Sequence, residues 1–179
     1  MKYLLVSDIH GSETSAKIII EKFKKLNCDK IIILGDILYH GPRNDLPENY
    51  NPKKVIELLN NYAEKIIAVK GNCDAEVDQM VLNFKLEECK GLIVNNKKIY
   101  LTHGHHVNYL NPLNDANVDI VIHGHTHIIR KDIEKKVTYI NLGSITLPKE
   151  NTRKCYGIMD EKNIYIYDLY DSELLKSEI

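Results

Sequence analysis

Seven polar side chains recur along this 179-residue chain in the order D-x-H, G-D, G-N, H-G, G-H-x-H: Asp8 and His10, Asp36, Asn72, His103, then His125 and His127. Each follows a short apolar run of strand length. Carboxylate oxygen, amide oxygen and imidazole nitrogen together are the ligands of borderline divalent metals such as manganese, iron, zinc or nickel, with no thiolate needed. Seven ligands are too many for one such ion. Two ions about 3.5–4 Å apart, bridged by one carboxylate, use them all, and this is the arrangement of two-metal phosphoester hydrolysis. Asp8 and His10 are two apart, so an extended backbone sends both side chains to one face, and the same holds for His125 and His127. A lone D-x-H or G-D carries no information, because Asp and Gly end strands everywhere. The joint order, every member at a strand end, is the signal.

Elements that could gather these residues are legible. Lys2 to Ser7 reads as a strand, and "SETSAKIIIEKFKKLN" puts Ala16, Ile19, Ile20, Phe23 and Leu26 on one helical stripe. "KIIILGD" repeats the strand, and the loop "ILYHGPRNDLPENYN" leads to a helix capped by Asn51, with Pro52 in its first turn and Val55, Ile56, Leu58, Leu59 and Tyr62 buried. "KIIAVKGNCD" makes a third strand. Such continuously apolar strands imply β-α-β units with both sheet faces covered. From residue 83 the pattern turns mostly to β: "LIVNNKKIYLTHG" with a hairpin turn at Asn95-Asn96, then "DIVIHGHTH", "VTYINLGS", "YGIMD" and "IYIYDLY". "ELLKSEI" reads as a solvated helical tail. In an α/β sheet the loops leaving the carboxyl ends of strands converge on one crevice, so five separate loops aim at one place.

Length fits one domain over residues 1–179, with no repeat and no Gly/Ser-rich linker to divide it. With 24 Lys and Arg against 25 Asp and Glu, no global positive field draws the chain onto nucleic acid or anionic lipid. The absence of a signal-like core or a membrane-length apolar run gives a cytoplasmic expectation. Cys28, Cys73, Cys89 and Cys155 form no C-x-x-C pair, against a thiolate knuckle or a disulfide framework. Of eight histidines, those from His103 to His127 are crowded together and call for a chemical account.

"DIHG", "GD", "GNCD", "THGH" and "GHTH" resemble, in order, the signature blocks of the calcineurin-like metallophosphoesterase superfamily. The short chain and the stretch "GDILYHGPRNDLPENYNP" resemble its small bacterial phosphodiesterases of the YfcE type. The resemblance implies a four-layer α/β/β/α sandwich with two mixed β-sheets and a dinuclear metal site at their edge. It assigns Asp8, His10, Asp36 and His127 to one metal, and Asp36, Asn72, His103 and His125 to the other. Asp36 is the bridge, and Asn72 a neutral ligand. The cofactors implied are two divalent ions, with manganese foremost and zinc, iron or nickel as alternatives. The activity implied is hydrolysis of small or activated phosphodiesters by a metal-bound hydroxide whose pKa falls to about 7. Asp36, Asn72, His103 and His105 form the catalytic set.

Many superfamily members have G-N-H-D/E where this chain has Cys73, and that histidine assists the leaving group. A thiol, with a reference pKa of about 8.5, is a weak donor, so Cys73 is expected to line the site without supplying an essential proton. Asp74 either orients its neighbours or caps the helix "AEVDQMV". His105 faces substrate as a donor and His106 faces solvent, while His123 is buried without catalytic duty. His40 and Arg43 are substrate-binding candidates, since guanidinium grips phosphate bidentately. Two further readings stay open: a phosphomonoesterase or nucleotidase on the same ligands, and a non-catalytic scaffold, since a retromer subunit of eukaryotes resembles this fold. The expected partner is a small phosphodiester, with no membrane, nucleic acid disfavoured, and self-association suggested by the family.

Overall fold

The computed structural model describes residues 1–115 and 117–179. The first half alternates as read: β1 (Tyr3–Val6), α1 (Glu13–Lys25), β2 (Lys30–Ile33), α2 (Pro52–Asn60), β3 (Ile66–Val69), α3 (Glu76–Val81) and the two-residue β4 (Leu86–Glu87). The second half is strands only: β5 (Lys90–Val94), β6 (Lys97–Leu101), β7 (Ile120–His123), β8 (Ile129–Glu134), β9 (Val137–Leu142), β10 (Cys155–Met159), β11 (Asn163–Asp168) and β12 (Glu173–Glu178). They form a seven-stranded sheet in the order β12-β11-β10-β1-β2-β3-β4 and a five-stranded sheet in the order β5-β6-β7-β9-β8. Both are mixed, since β1 to β4 and β6-β7-β9 run parallel while their outer partners run antiparallel.

The central strands are apolar throughout because each is buried on both faces. Leu4, Val6, Ile31 and Ile33 pack against Ile19, Phe23, Val55 and Leu59 of the helices. Their alternates Leu5, Ile32 and Leu34 meet Leu101, Ile122, Ile140 and Leu142 of the smaller sheet. The smaller sheet's outer face, with Val121, Val137 and Tyr139, is closed by Val107, Tyr109 and Val118 from the β6–β7 connection. That connection has no helix among the described residues, so loop takes the place of the fourth layer there.

Local chemistry sets the element ends. Ser12 caps α1 by accepting the Ser15 N–H at 3.2 Å, with Glu13 in the first turn and Lys22, Lys24 and Lys25 in the last. Asn51 caps α2 by accepting from Lys54 N, ahead of Pro52. Asn95 and Asn96, both at positive φ, form the two-residue turn between β5 and β6 that such residues favour. Lys135 and Lys136 do the same between β8 and β9, in a basic run that composition presents only as a solvated face.

The C-terminal segment corrects the helical reading. Glu173–Glu178 is the edge strand β12, antiparallel to β11, with Leu174, Leu175 and Ile179 against the inter-sheet core. Pairing with the open edge of β11 overrides the helix-forming composition. No helix is long and apolar enough to cross a membrane among the described residues.

The β11–β12 turn is tied to α1 through Asp171. Its carboxylate pairs with Lys22 and Lys25 and accepts the Tyr156 hydroxyl at 2.6 Å. The Lys22, Tyr156 and Lys25 hydrogen bonds hold it well below the usual carboxylate range. A depressed folded pKa stabilises above the unfolded value of about 3.9 and is lost as pH falls below it. Asp171→Asn should therefore lower Tm by about 2–4 °C at pH 7, in line with about 1 kcal/mol for a partly exposed network, and the gap should shrink at pH 3. Thermal melts at both pH values check this; an equal gap at both would remove the ionic explanation.

Candidate metal centre

The carboxyl ends of β1, β2, β3, β6 and β7 open at one edge of the sheet pair, and the seven residues sit on the loops that leave them. Asp8, His10 and His103 are fully buried, Asp36 and His127 nearly so, His125 is half-buried and Asn72 exposed. Strand alternation is not what pairs them. Asp8, His10, Asp36, His125 and His127 all have φ between 51° and 72°, in the left-handed region. Such backbone costs about 1–3 kcal/mol per non-glycine residue and clusters where function requires it. The extended geometry expected for D-x-H and H-x-H is thus corrected: the members of each pair approach a common centre through two left-handed residues.

Three imidazoles are aimed by the backbone. His10 Nδ1 donates to Tyr39 O at 2.8 Å, His103 Nδ1 to Leu34 O at 2.6 Å and His127 Nδ1 to Leu147 O at 2.5 Å. A histidine whose Nδ1–H is so engaged presents an Nε2 lone pair, the form that binds metals. Those Nε2 atoms point at one another and at acceptors. His10 Nε2 and His127 Nε2 are 3.2 Å apart, and His103 Nε2 is 3.0 Å from Asn72 Oδ1 and 3.2 Å from His125 Nδ1. Asp8 Oδ1 lies 3.2 Å from His127 Nε2 and 3.7 Å from His10 Nε2, yet this buried oxygen has no hydrogen-bond partner. Asp36 Oδ2 lies 3.7 Å from His10 Nε2 and 3.4 Å from His103 Nε2, between the two groups.

Ligand-competent atoms fall within 4.8 Å of one another in three overlapping groups: Asp8-His10-His127, Asp8-Asp36-His103 and His10-Asp36-Cys73. Acceptors facing acceptors around an orphaned buried carboxylate oxygen fit cations, which would satisfy them all. Without a cation, protons must serve. Burial disfavours charge on His103, but the Asp36 hydrogen bond and the charges of Asp8 and Asp36 raise it to about 9. Burial and the His103 charge push His125 down to about 4. Burial opposes ionisation of Asp8, yet the neighbouring His10 and His127 imidazoles and the His103 charge hold it well below the usual range. A metal would replace the shared proton.

Supporting groups explain the motif glycines and Asp74. The Asp74 carboxylate accepts the N–H groups of Asp36, Ile37 and Gly71 at 2.7–2.8 Å, fixing the turn that carries Asp36. The helix-cap reading is corrected, because α3 starts after Ala75, whose N–H donates to Asp78. Asp8 Oδ2 accepts from Ser7 Oγ at 2.6 Å and His125 N at 3.1 Å, and Asp36 Oδ1 accepts Cys73 N–H at 2.8 Å. A Cβ on Gly71 would overlap Asp36 Oδ1, and one on Gly124 would overlap Ser7 Oγ. Both glycines let backbone reach a carboxylate.

A recess in front of the ligands is lined by Asp36, Asn72, Cys73, His125 and His127, and by Arg43 and Lys149. His40 is not among its lining residues, and its ring packs edge-on against Tyr39 and Tyr50. His105 is likewise outside the recess, 5.4 Å from His103 and 6.1 Å from His125 between ring centroids, and stacks on exposed His106. Burial, then the charges of His103 and His106, lower the His105 pKa. His123 is buried, with Nδ1 3.1 Å from Gly124 O, and burial drives it down to about 4. Burial and the Asp36 charge push the Cys73 thiol up to about 12. The anchoring carbonyls of Leu34, Tyr39 and Leu147 leave no trace in residue type, and Lys149 belongs to no motif.

Gly71→Ala should lower Mn²⁺ affinity about tenfold or more by displacing the Asp36 carboxylate. Titration calorimetry checks this, with Gly91→Ala, which opens onto empty space, as the control. Unchanged affinity in Gly71→Ala would show that the close approach is not what positions Asp36.

Residues 1–163 match the family model described as "Calcineurin-like phosphoesterase superfamily domain". The chain is 39% identical over 177 residues to phosphodiesterase YfcE of Escherichia coli strain K12, covering 98% of this chain and 96% of that one. A solved structure of the E. coli phosphoesterase Yfce superposes with a TM-score of 0.94 at 37% identity, over 99% and 98% of the two chains. Vps29 of Entamoeba histolytica, solved with zinc, gives a TM-score of 0.63 at 22% identity over 100% and 98%, a likeness of fold alone. With the family model spanning nearly the whole chain and the E. coli relative matching end to end, this chain belongs to the calcineurin-like phosphoesterase superfamily and is a metallophosphoesterase.

Proposed function

We propose that this enzyme is a phosphodiesterase acting on small or activated diesters with a pair of divalent ions, manganese foremost. The observation that carries the reading is the convergence of Nε2 lone pairs, set by Nδ1–H bonds to backbone carbonyls, around the buried oxygens of Asp8 and Asp36. In this reading Asp8, His10, Asp36 and His127 hold one ion, and Asp36, Asn72, His103 and His125 the other. Asp36 suits the shared position because its Oδ2 faces His10 and His103 alike. When bound, the ions supply an acidified water as nucleophile and positive charge for the phosphoryl oxygens.

The chain's own residues set the character of the site. With only two carboxylates among the seven ligands, the loaded centre keeps positive charge for an anionic phosphoryl group. Asn72 fills a position without adding charge. A thiol is a weak hydrogen-bond donor, so Cys73 does not readily give a proton to the departing oxygen. Diesters with a good leaving group are therefore favoured. The similarity to a protein named phosphodiesterase supports diesters over monoesters.

The test is hydrolysis of bis-p-nitrophenyl phosphate with added Mn²⁺. Asp36→Asn should reduce kcat/KM by about 10³-fold or more, the several kcal/mol that metal charge stabilisation supplies. Equal rates in the two proteins would sink the mechanism.

A further inference from the structure

The recess in front of the ligands has a volume of about 50 Å³. Pockets that enclose a whole small ligand run to roughly 300–1,000 Å³, and one water occupies about 30 Å³ of liquid. A recess of that size does not enclose a whole diester, so the ester arms extend beyond it. Selection among diesters falls to whatever the rim offers.

The rim offers two cations from different loops. Arg43 extends from the turn after Gly41, whose left-handed backbone brings it close to Cys73, and Asn44 Nδ2 ties the turn by donating to His40 O at 2.8 Å. Lys149 extends from the segment after β9 that also carries Leu147. Its N–H donates to His127 O at 3.1 Å, and Thr152 Oγ1 donates to Lys149 O at 2.8 Å and to His127 O at 3.2 Å. The backbone of Lys149 is therefore fixed to that of a ligand histidine. Neither Arg43 nor Lys149 pairs with a carboxylate among the described residues, although Asp45 and Glu150 are near in sequence. In a chain with a formal net charge of −1, two unpaired cations at one opening are a local feature.

We propose that Lys149, together with Arg43, selects phosphodiesters that carry a second anionic group, a carboxylate or phosphate, on one ester arm. The inference rests on the phosphodiesterase reading: the ions, offset by Asp8 and Asp36, take the scissile phosphoryl group, and the rim cations are left for a charge one arm's length away. Lys149 is a specificity determinant here, with no part in bond cleavage. It is exposed at the opening, and its backbone is held by hydrogen bonds.

The experiment compares two diesters with the same leaving group, p-nitrophenyl phenyl phosphate and p-nitrophenyl 3-carboxyphenyl phosphate, on the Mn²⁺-loaded full chain. The wild type should prefer the carboxylate diester about fivefold in kcat/KM, the scale of one exposed charge pair. Lys149→Met should lower the ratio toward one, with Arg43 left to supply what remains, and Lys149→Arg should retain it. A 3-phosphonophenyl arm in place of the carboxylate then ranks the two anion types. A wild-type ratio near one, or a ratio unchanged in Lys149→Met, overturns the proposal, since general attraction of anions raises both rates together. Turnover of neither diester would instead defeat the phosphodiesterase reading. Calorimetric titration of the loaded protein with phenylphosphonate and 3-carboxyphenylphosphonate then decides the inference by itself: tighter binding of the second, reduced in Lys149→Met, supports it, and equal binding overturns it.

Discussion

Two carboxylates, Asp8 and Asp36, are buried side by side at the end of the seam between the sheets, and the rest of the site answers that constraint. Burying anionic oxygens is costly unless they are paired, and the surroundings provide partners in graded fashion. One oxygen of each carboxylate is satisfied by the protein: Asp8 Oδ2 by Ser7 and the His125 N–H, Asp36 Oδ1 by the Cys73 N–H. The other oxygen of each faces only imidazole nitrogens. Half of each carboxylate is thus held in place by the fold, and half is kept for a cation.

That division reaches outward into the architecture. Holding three Nδ1–H groups on backbone carbonyls requires the loops after β1, β6 and β7 to run beside the carbonyls of Leu34, Tyr39 and Leu147 at fixed distance. The inter-sheet core supplies the rigidity: Leu5, Leu34, Leu101 and Ile122 lie just behind the loops and are almost fully excluded from water. Close-packed interiors of this kind yield little, so five left-handed loop residues can be held against their backbone preference. The sandwich is a clamp for strained loops.

Much of this was legible in the sequence, for physical reasons that also mark where legibility ended. β1, β2 and β3 could be read because burial on both faces makes them apolar throughout, and the Asn95-Asn96 turn because two consecutive left-handed residues favour asparagine. β8, written RKDI in its middle, and β12, written ELLKSE, are edge strands with one side toward water, and pairing with a neighbour rather than composition makes them strands. The candidate ligand types stand out at strand ends. The way they are aimed does not, because a backbone carbonyl has no residue identity and a strained φ at Asp or His leaves no mark in a one-letter code. His40 shows the converse limit: a histidine near an arginine in one loop is visible in the sequence, but the packing of its ring against Tyr39 and Tyr50 is not.

The position after Asn72 draws these threads together. Cys73 contributes its backbone N–H to Asp36, and its side chain lies against the turn at Gly41. The backbone contact would serve with any side chain, so the structural duty of this residue leaves its chemistry free to vary. A thiol raised to about 12 by burial and by Asp36 adds no charge beside two carboxylates that already need cations. An imidazole in the same place could donate a proton, but once protonated it would compete with a metal for the same carboxylate oxygens. The thiol lacks that donor and does not compete for the carboxylates. A small recess lined by a thiol and by two cations that have no carboxylate partner among the described residues is suited to an anionic group.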